Sequence, residues 1–247
     1  MKWKYWALAF LLMMGGGHTV SAYNISTLAA KTLPKGFVYK EIEGNEVLPF
    51  WGQDVVYHMG QLQVTLPQNQ SFSSGYIIRT KMPKNMEEAM RPFFKLNRDE
   101  KVWQLLTRMN RALLNPHSPL RHQISMTMQE LAVNAIGPMA SSDVTVDISH
   151  IEPFRRLSTD EAYVYTAGGL ITYDSKGLRL PMYCRTYFFP GQDGMEVLML
   201  FTPDEGKGPL LYAIDDLASA AAKEEILGQE GYADLGSLLN QKGQEEG

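Results

Sequence analysis

The stretch RTYFFPGQDGMEVLML, residues 185–200, sets two apolar, aromatic-rich runs on either side of Pro190-Gly191-Gln192-Asp193-Gly194. Pro-Gly suits a turn with positive φ at the glycine, and Asp-Gly is a favoured hairpin corner. A calcium site needs 6–8 oxygen ligands, whereas this loop offers one carboxylate. The polar knot is therefore read as a turn, which makes 180–189 and 195–202 neighbouring antiparallel strands. Upstream, Val144, Val146 and Ile148 alternate with Thr145, Asp147 and Ser149, and strand-like runs at 162–166 and 170–173 follow, parted by Ala167-Gly168-Gly169. Strands joined by such short links pair with their neighbours as a meander.

Before this meander the pattern differs. Residues 37–42 read as a short strand ended by Gly44-Asn45. Within 55–66, Leu62, Val64 and Leu66 alternate with Gln61, Gln63 and Thr65, the period of a half-buried strand. Pro67 and the Gln/Asn/Ser-rich run 68–75 read as a loop, and 76–80 resume strand composition. The period then lengthens: Val102, Leu105, Leu106, Met109 and Leu113 form one helical stripe, with Asn97 or Asp99 as a start and Asn115-Pro116 as a stop. Residues 119–136 place Ile124, Met128, Leu131 and Ala135 on one helix face, although ISMTM at 124–128 also allows a strand. A further short helix is expected at 86–95, restricted by Pro92. After Pro209, residues 213–227 read as a helix with Asp215 and Asp216 near its positive end and Gly228 as its stop. Grouped rather than alternating elements predict an α+β fold: an antiparallel sheet, meandering in its C-terminal half, with helices packed on one face. Residues 23–235 would form one domain with a helical middle at about 86–136, after a polar lead-in at 23–35 and before a polar tail at 236–247.

HMGQLQVTLPQN, residues 58–69, is a strand closing in Leu-Pro and resembles the opening strand of the PsbP/Mog1/DcrB-like superfamily of small exported or chloroplast-lumen α+β proteins. The resemblance extends architecturally over about residues 50–225. It implies a binding or assembly role rather than chemistry, because that superfamily shares no catalytic set.

The first residues carry an address. Lys2 and Lys4 precede an apolar run at 7–14, three glycines, and Val20-Ser21-Ala22, the pattern of a secretory signal peptide cleaved after Ala22. The apolar run is well short of the roughly 20 residues of a spanning helix; retention as an anchor is the alternative. Cleavage removes Lys2 and Lys4, taking the net charge from −4 to −6, with no transmembrane segment left. The expected location is periplasmic or extracellular.

An acidic chain without a dense basic block excludes nucleic acid as a partner. Cys184 is the single cysteine, so no internal disulfide forms. It shares a strand face with Met182, Thr186 and Phe188, where it acts as a small hydrophobe without a base beside it. Tyr183, Arg185 and Tyr187 occupy the opposite face of that strand and are the candidate binding residues, since Tyr and Arg are enriched in recognition hot spots. His18, His58, His117, His122 and His150 lack metal-ligand spacing, and no HExxH motif occurs. Asp215-Asp216 and Glu224-Glu225 are sequence neighbours on a helix, so each pair diverges into solvent. No catalytic residue, metal ligand or cofactor is predicted. Arg91, Lys95, Arg98, Lys101, Arg108, Arg111 and Arg121 make the helical middle the basic region, suited to an acidic envelope protein or an anionic membrane surface. The expected function is a non-catalytic binding or assembly module of the bacterial cell envelope; the alternative is an exported hydrolase whose site is assembled only by the fold.

Overall fold

Phe189 pairs with Glu196, Pro190 with Met195 and Gly191 with Gly194, so the two runs flanking the polar knot are antiparallel neighbours. A computed structural model describes residues 23–50, 53–66, 71–81, 100–136, 144–157, 164–175, 177–191 and 194–227. The leader 1–22, the helix at 86–95, the helix starts Asn97 and Asp99, the stop Gly228 and the tail 236–247 lie outside the described residues. The elements are α1 (Ile25–Thr32), β1 (Phe37–Phe50), β2 (Gln53–Leu66), β3 (Ser71–Lys81), α2 (Glu100–Leu114), α3 (Pro119–Ile136), β4 (Val144–Leu157), β5 (Val164–Ser175), β6 (Leu178–Gly191), β7 (Gly194–Pro203) and α4 (Lys207–Leu227). They form an α+β fold around one antiparallel seven-stranded sheet of order β1-β2-β3-β7-β6-β5-β4. Two meanders, β1–β3 and β4–β7, are joined where β3 pairs with β7.

Several boundaries move for identifiable reasons. Residues 23–35 are not a lead-in: Asn24 caps α1 by accepting the Thr27 N–H at 2.9 Å, and Ile25, Leu28 and Ala29 are buried at helical spacing. Gly44-Asn45 does not end β1. Ile42 pairs with Met59 and Glu46 with Tyr57, so the glycine and asparagine sit in a bulge and the strand continues. The serines expected as loop belong to β3, where Ser73, Ser74 and Gly75 pair with Val64, Gln63 and Leu62. Their smallness reflects crowding, since a Cβ at Gly75 would stand 2.9 Å from the Phe201 carbonyl oxygen. Ala167-Gly168-Gly169 likewise do not break β5, which runs through them in register with β6.

The last helix starts at Lys207, six residues before expected, because Pro209 falls in its first turn, where no backbone N–H is needed. Leu210, Ala213, Ile214, Leu217, Ala218, Ala221 and Ala222 are fully buried and pack with Leu62, Val64, Ile77, Leu198 and Leu200. Alanines along this stripe let α4 lie close to the sheet, and each buried leucine contributes roughly 1.5–3 kcal/mol. Helices α1 and α4 share that face.

The α2–α3 hairpin instead runs along the edge strand β4 and over the other face of the sheet. Arg121 donates to the Ile148 carbonyl, Ser125 to Val146 at 2.9 Å and Gln129 to Val144 at 2.6 Å. Four helical residues rise about 6 Å and two strand residues about 6.6 Å, so an i, i+4, i+8 row matches alternate strand carbonyls. From α2, Asn110 exchanges hydrogen bonds with the Phe154 N–H (2.7 Å) and carbonyl (3.1 Å). Side chains thus occupy backbone groups that a bare edge leaves to other chains. This row resolves the ambiguity of ISMTM in favour of helix.

Candidate functional site

Tyr183, Arg185 and Tyr187 do share one sheet face, and α4 roofs it: they are 2%, 7% and 0% exposed. The Arg185 guanidinium spans two carboxylates, donating to Glu152 at 2.7 Å and to both Asp215 oxygens at 3.2 and 3.3 Å. Tyr183 donates its hydroxyl to Glu152 and accepts from Arg185 at 3.3 Å, while Tyr187 donates to Asp215 at 2.5 Å. Lys207 lies 4.7 Å from the Tyr183 ring centroid and pairs with Asp204.

Two features of the chain deliver the carboxylates. Ser149 pairs with Leu170 but Glu152 with Gly168, so one extra residue is inserted at His150, whose φ is 45°. That bulge turns Glu152 onto the Arg185 face and leaves Ile151 for the other. Asp215 sits over two turns into α4, pointing down at the sheet, so neither end charge nor solvation explains it. Burial raises the pKa of both phenols, with the hydrogen bond to Glu152 adding for Tyr183 and the Asp215 charge adding for Tyr187. Burial alone would lower the Arg185 pKa, but the phenols and Asp215 outweigh it and raise it. The two phenols therefore stay neutral and Arg185 stays charged at neutral pH, and the hydrogen bonds of the set form a clamp holding α4 to the sheet.

Gly168 is part of this clamp. A Cβ there would stand 2.7 Å from the Tyr183 hydroxyl oxygen and 3.0 Å from the Cys184 carbonyl oxygen. Gly168→Ala is expected to push Tyr183 off Glu152 and cost about 1–3 kcal/mol in a urea unfolding curve, the range for overpacking. Gly169→Ala, where the nearest atom is the Ser149 oxygen at 3.4 Å, should stay close to the parent; equal losses at both positions would show that the Tyr183 crossing is not the cause.

A second charged group on the same face escaped sequence reading. Arg79 donates to the fully buried Glu196 at 3.3 Å, Lys81 lies 3.6 Å from the same carboxylate, and the Arg79 guanidinium stacks 4.6 Å over the Tyr23 ring. Glu225 is also fully buried, while its neighbour Glu224 is exposed, so the pair diverges as expected but only one member is solvated. His58 is half-buried, with its pKa lowered by burial and by Arg79. His117, His122 and His150 are exposed. Among the described residues no group of three or more His, Cys, Asp or Glu side chains could hold a metal ion.

The opposite sheet face carries a cleft. Ile148 and Ile151 of β4, Ala167, Gly169 and Ile171 of β5, and Cys184 and Thr186 of β6 form its floor; Leu113 of α2 with Ile124 and Met128 of α3 form its roof. Its cavity volume is about 60 Å³. That is well below the roughly 300–1,000 Å³ typical of small-ligand sites, so the cleft is a small apolar recess. Its two weakly polar groups face each other, the Cys184 sulfur lying 3.8 Å from the Thr186 hydroxyl. Burial pushes the thiol pKa up to about 12, which removes it as a nucleophile at neutral pH. Arg121, which does not line the cleft, donates to the carbonyls of two residues that do, Leu113 at 3.3 Å and Ile148. Arg108 and Arg111 are exposed on α2; Arg91, Lys95 and Arg98 lie outside the described residues, as does the Lys101 side chain. A sequence signal for the cleft existed in Ala167-Gly168-Gly169, three small residues in mid-strand opposite Cys184 and Thr186.

No family model matches the chain, so the resemblance to the PsbP/Mog1/DcrB-like superfamily rests on the sequence alone. No curated protein matches it either. The crystal structure of LpqN, involved in cell envelope biogenesis of Mycobacterium tuberculosis, is similar at a TM-score of 0.31 and 12% identity over 76% of this chain and 78% of that one. Neither function nor fold transfers at that level.

Proposed function

We propose that this chain is an exported, non-catalytic binding module of the bacterial cell envelope that works against an anionic surface through its basic helical hairpin. The observation that supports it most is a charge segregation. Residues 101–129 carry Lys101, Arg108, Arg111 and Arg121 and no Asp or Glu, in a chain of net charge −4. Arg108 and Arg111 are exposed, while the inward side of the hairpin is spent on β4. Among the described residues no helix is long and apolar enough to cross a membrane, so contact would be peripheral. Tyr183, Arg185 and Tyr187 then serve binding indirectly, by fixing α4 and the sheet on which the hairpin rests.

Co-sedimentation with vesicles of phosphatidylglycerol and phosphatidylcholine tests this reading. Each Lys or Arg near an anionic surface contributes about 1 kcal/mol. Arg108→Ala with Arg111→Ala should therefore lower partitioning roughly thirtyfold, and raised salt should abolish it. Equal binding to pure phosphatidylcholine, or none to either, would overturn it. Intact-mass analysis from the host should place Tyr23 first in the exported protein.

A further inference from the structure

We infer that the outward flank of the α2–α3 hairpin docks on an anionic bilayer by sinking Leu114 and Met126 into it, with Arg108 and Arg111 at the level of the lipid phosphates. Docking of this kind rests on the reading above and sharpens it: the partner is a lipid surface entered to shallow depth, not an acidic protein. One exposed apolar side chain needs no explanation. Here, however, Leu114 is 52% and Met126 45% exposed, and both fall within residues 101–129, which carry four cations and no Asp or Glu.

The register along β4 puts these side chains on one flank. Asn110 bonds Phe154, and then Arg121 bonds Ile148, Ser125 bonds Val146 and Gln129 bonds Val144, so rising numbers along the two helices match falling numbers along β4. Each helical residue is turned about 100° from the one before it. Arg111 follows Asn110, and Met126 follows Ser125, by one residue, so both turn away from β4 in the same sense. Leu114 is three residues on from Arg111 and exposed beside it. The remaining flank is buried, with Leu106, Met109 and Leu113 on α2 and Leu120 and Ile124 on α3. A basic flank with apolar tips between its charges suits a helix lying in the membrane interface, where charge attraction and buried apolar area add. The arginine stems follow their apolar neighbours down while the guanidinium heads stay at the phosphates. A bilayer takes up such tips without shape complementarity, whereas protein interfaces rest on Trp, Tyr and Arg anchors seated in pockets.

Co-sedimentation of the mature protein with vesicles of phosphatidylglycerol and phosphatidylcholine would compare the parent, Leu114→Gln combined with Met126→Gln, and Tyr212→Gln. Glutamine suits a helix and leaves the charge unchanged, and both positions are exposed, so the urea midpoint of the double variant should match that of the parent. Loss of two half-exposed apolar side chains should lower partitioning roughly tenfold or more. Tyr212, 78% exposed on α4 over the opposite sheet face, is the control, and its replacement should change nothing. An NBD fluorophore attached to Met126→Cys should be quenched by lipids brominated in the acyl chain; the buried Cys184 does not compete for the label. If salt-sensitive binding persists with the double variant unchanged or the fluorophore unquenched, the insertion is overturned while the electrostatic reading stands. No binding of the parent to these vesicles overturns both.

Discussion

Arg185→Leu is expected to destabilise the protein by about 3 kcal/mol, read as a fall in the urea midpoint with an unchanged slope. Removing one partner of a buried ion pair costs about 3–5 kcal/mol because the remaining charges lose their compensation. The lower end applies here: the Arg185 side chain is 8% exposed, but Glu152 and Asp215 are 38% and 25% exposed, so water reaches the stranded carboxylates. Leucine also forfeits the hydrogen bond to Tyr183. Arg185→Lys keeps the charge but replaces a fork reaching Glu152 and Asp215 by a point donor, and should fall between parent and leucine. Combining Arg185→Leu with Asp215→Asn should cost less than the sum of the two singles, by about 0.5–3 kcal/mol of coupling. A loss below about 0.5 kcal/mol in Arg185→Leu, the scale of ordinary surface substitutions, would rule out the clamp.

That clamp shows where sequence reading stops. Period-two and helical spacing are local, so the alternation in β2, the meander and the span of α3 were legible from residues two, three or four apart. The shared face of Tyr183, Arg185 and Tyr187 was legible for the same reason. What covers that face was not. Asp215 lies 30 residues from Arg185 and Glu152 lies 33, and the latter reaches the network only through a one-residue bulge at His150. No window of sequence announces such a bulge. Composition misled where smallness had two causes: serine and glycine at 71–75 and glycine at 168–169 looked like breaks but mark close approaches inside strands. The hairpin's place on the second face follows from the edge-capping row Arg121, Ser125 and Gln129, whose carbonyl partners on β4 no local pattern shows. The cleft depends on that packing, so the small residues 167–169, its one sequence signal, did not suffice to reveal it.

Raising the pH should unfold the protein cooperatively between about pH 10.5 and 12, with the tyrosinate absorbance of the buried phenols rising at the unfolding step rather than before it. Tyr23, Tyr183 and Tyr187 are 7%, 2% and 0% exposed, and Cys184 is 7% exposed. Burial is the foremost cause raising all four pKa values, the thiol to about 12. In the unfolded chain the thiol titrates near 8.5 and the phenols near 10. The native state therefore holds protons that the unfolded state has released, and stability falls as pH rises. The thiol contribution is intact below pH 8.5 and erodes from there; the phenol contributions are intact below pH 10 and erode above it. Each group removes about 1.4 kcal/mol per pH unit within its window, so four together remove roughly 5–6 kcal/mol per unit near pH 11. A domain stable by 5–15 kcal/mol does not survive much of that slope. Half-buried Tyr39, raised to about 12 by burial and by Glu41, acts in the same direction. Urea midpoints at successive pH values give the slope directly. Tyr187→Phe should lower the starting stability, because Asp215 loses its phenol donor, and should flatten the alkaline slope by about one group. Reversible ionisation of every phenol near pH 10 with the far-UV spectrum unchanged would show that these side chains meet water, and the packing of α4 over the Tyr183 face would have to be abandoned.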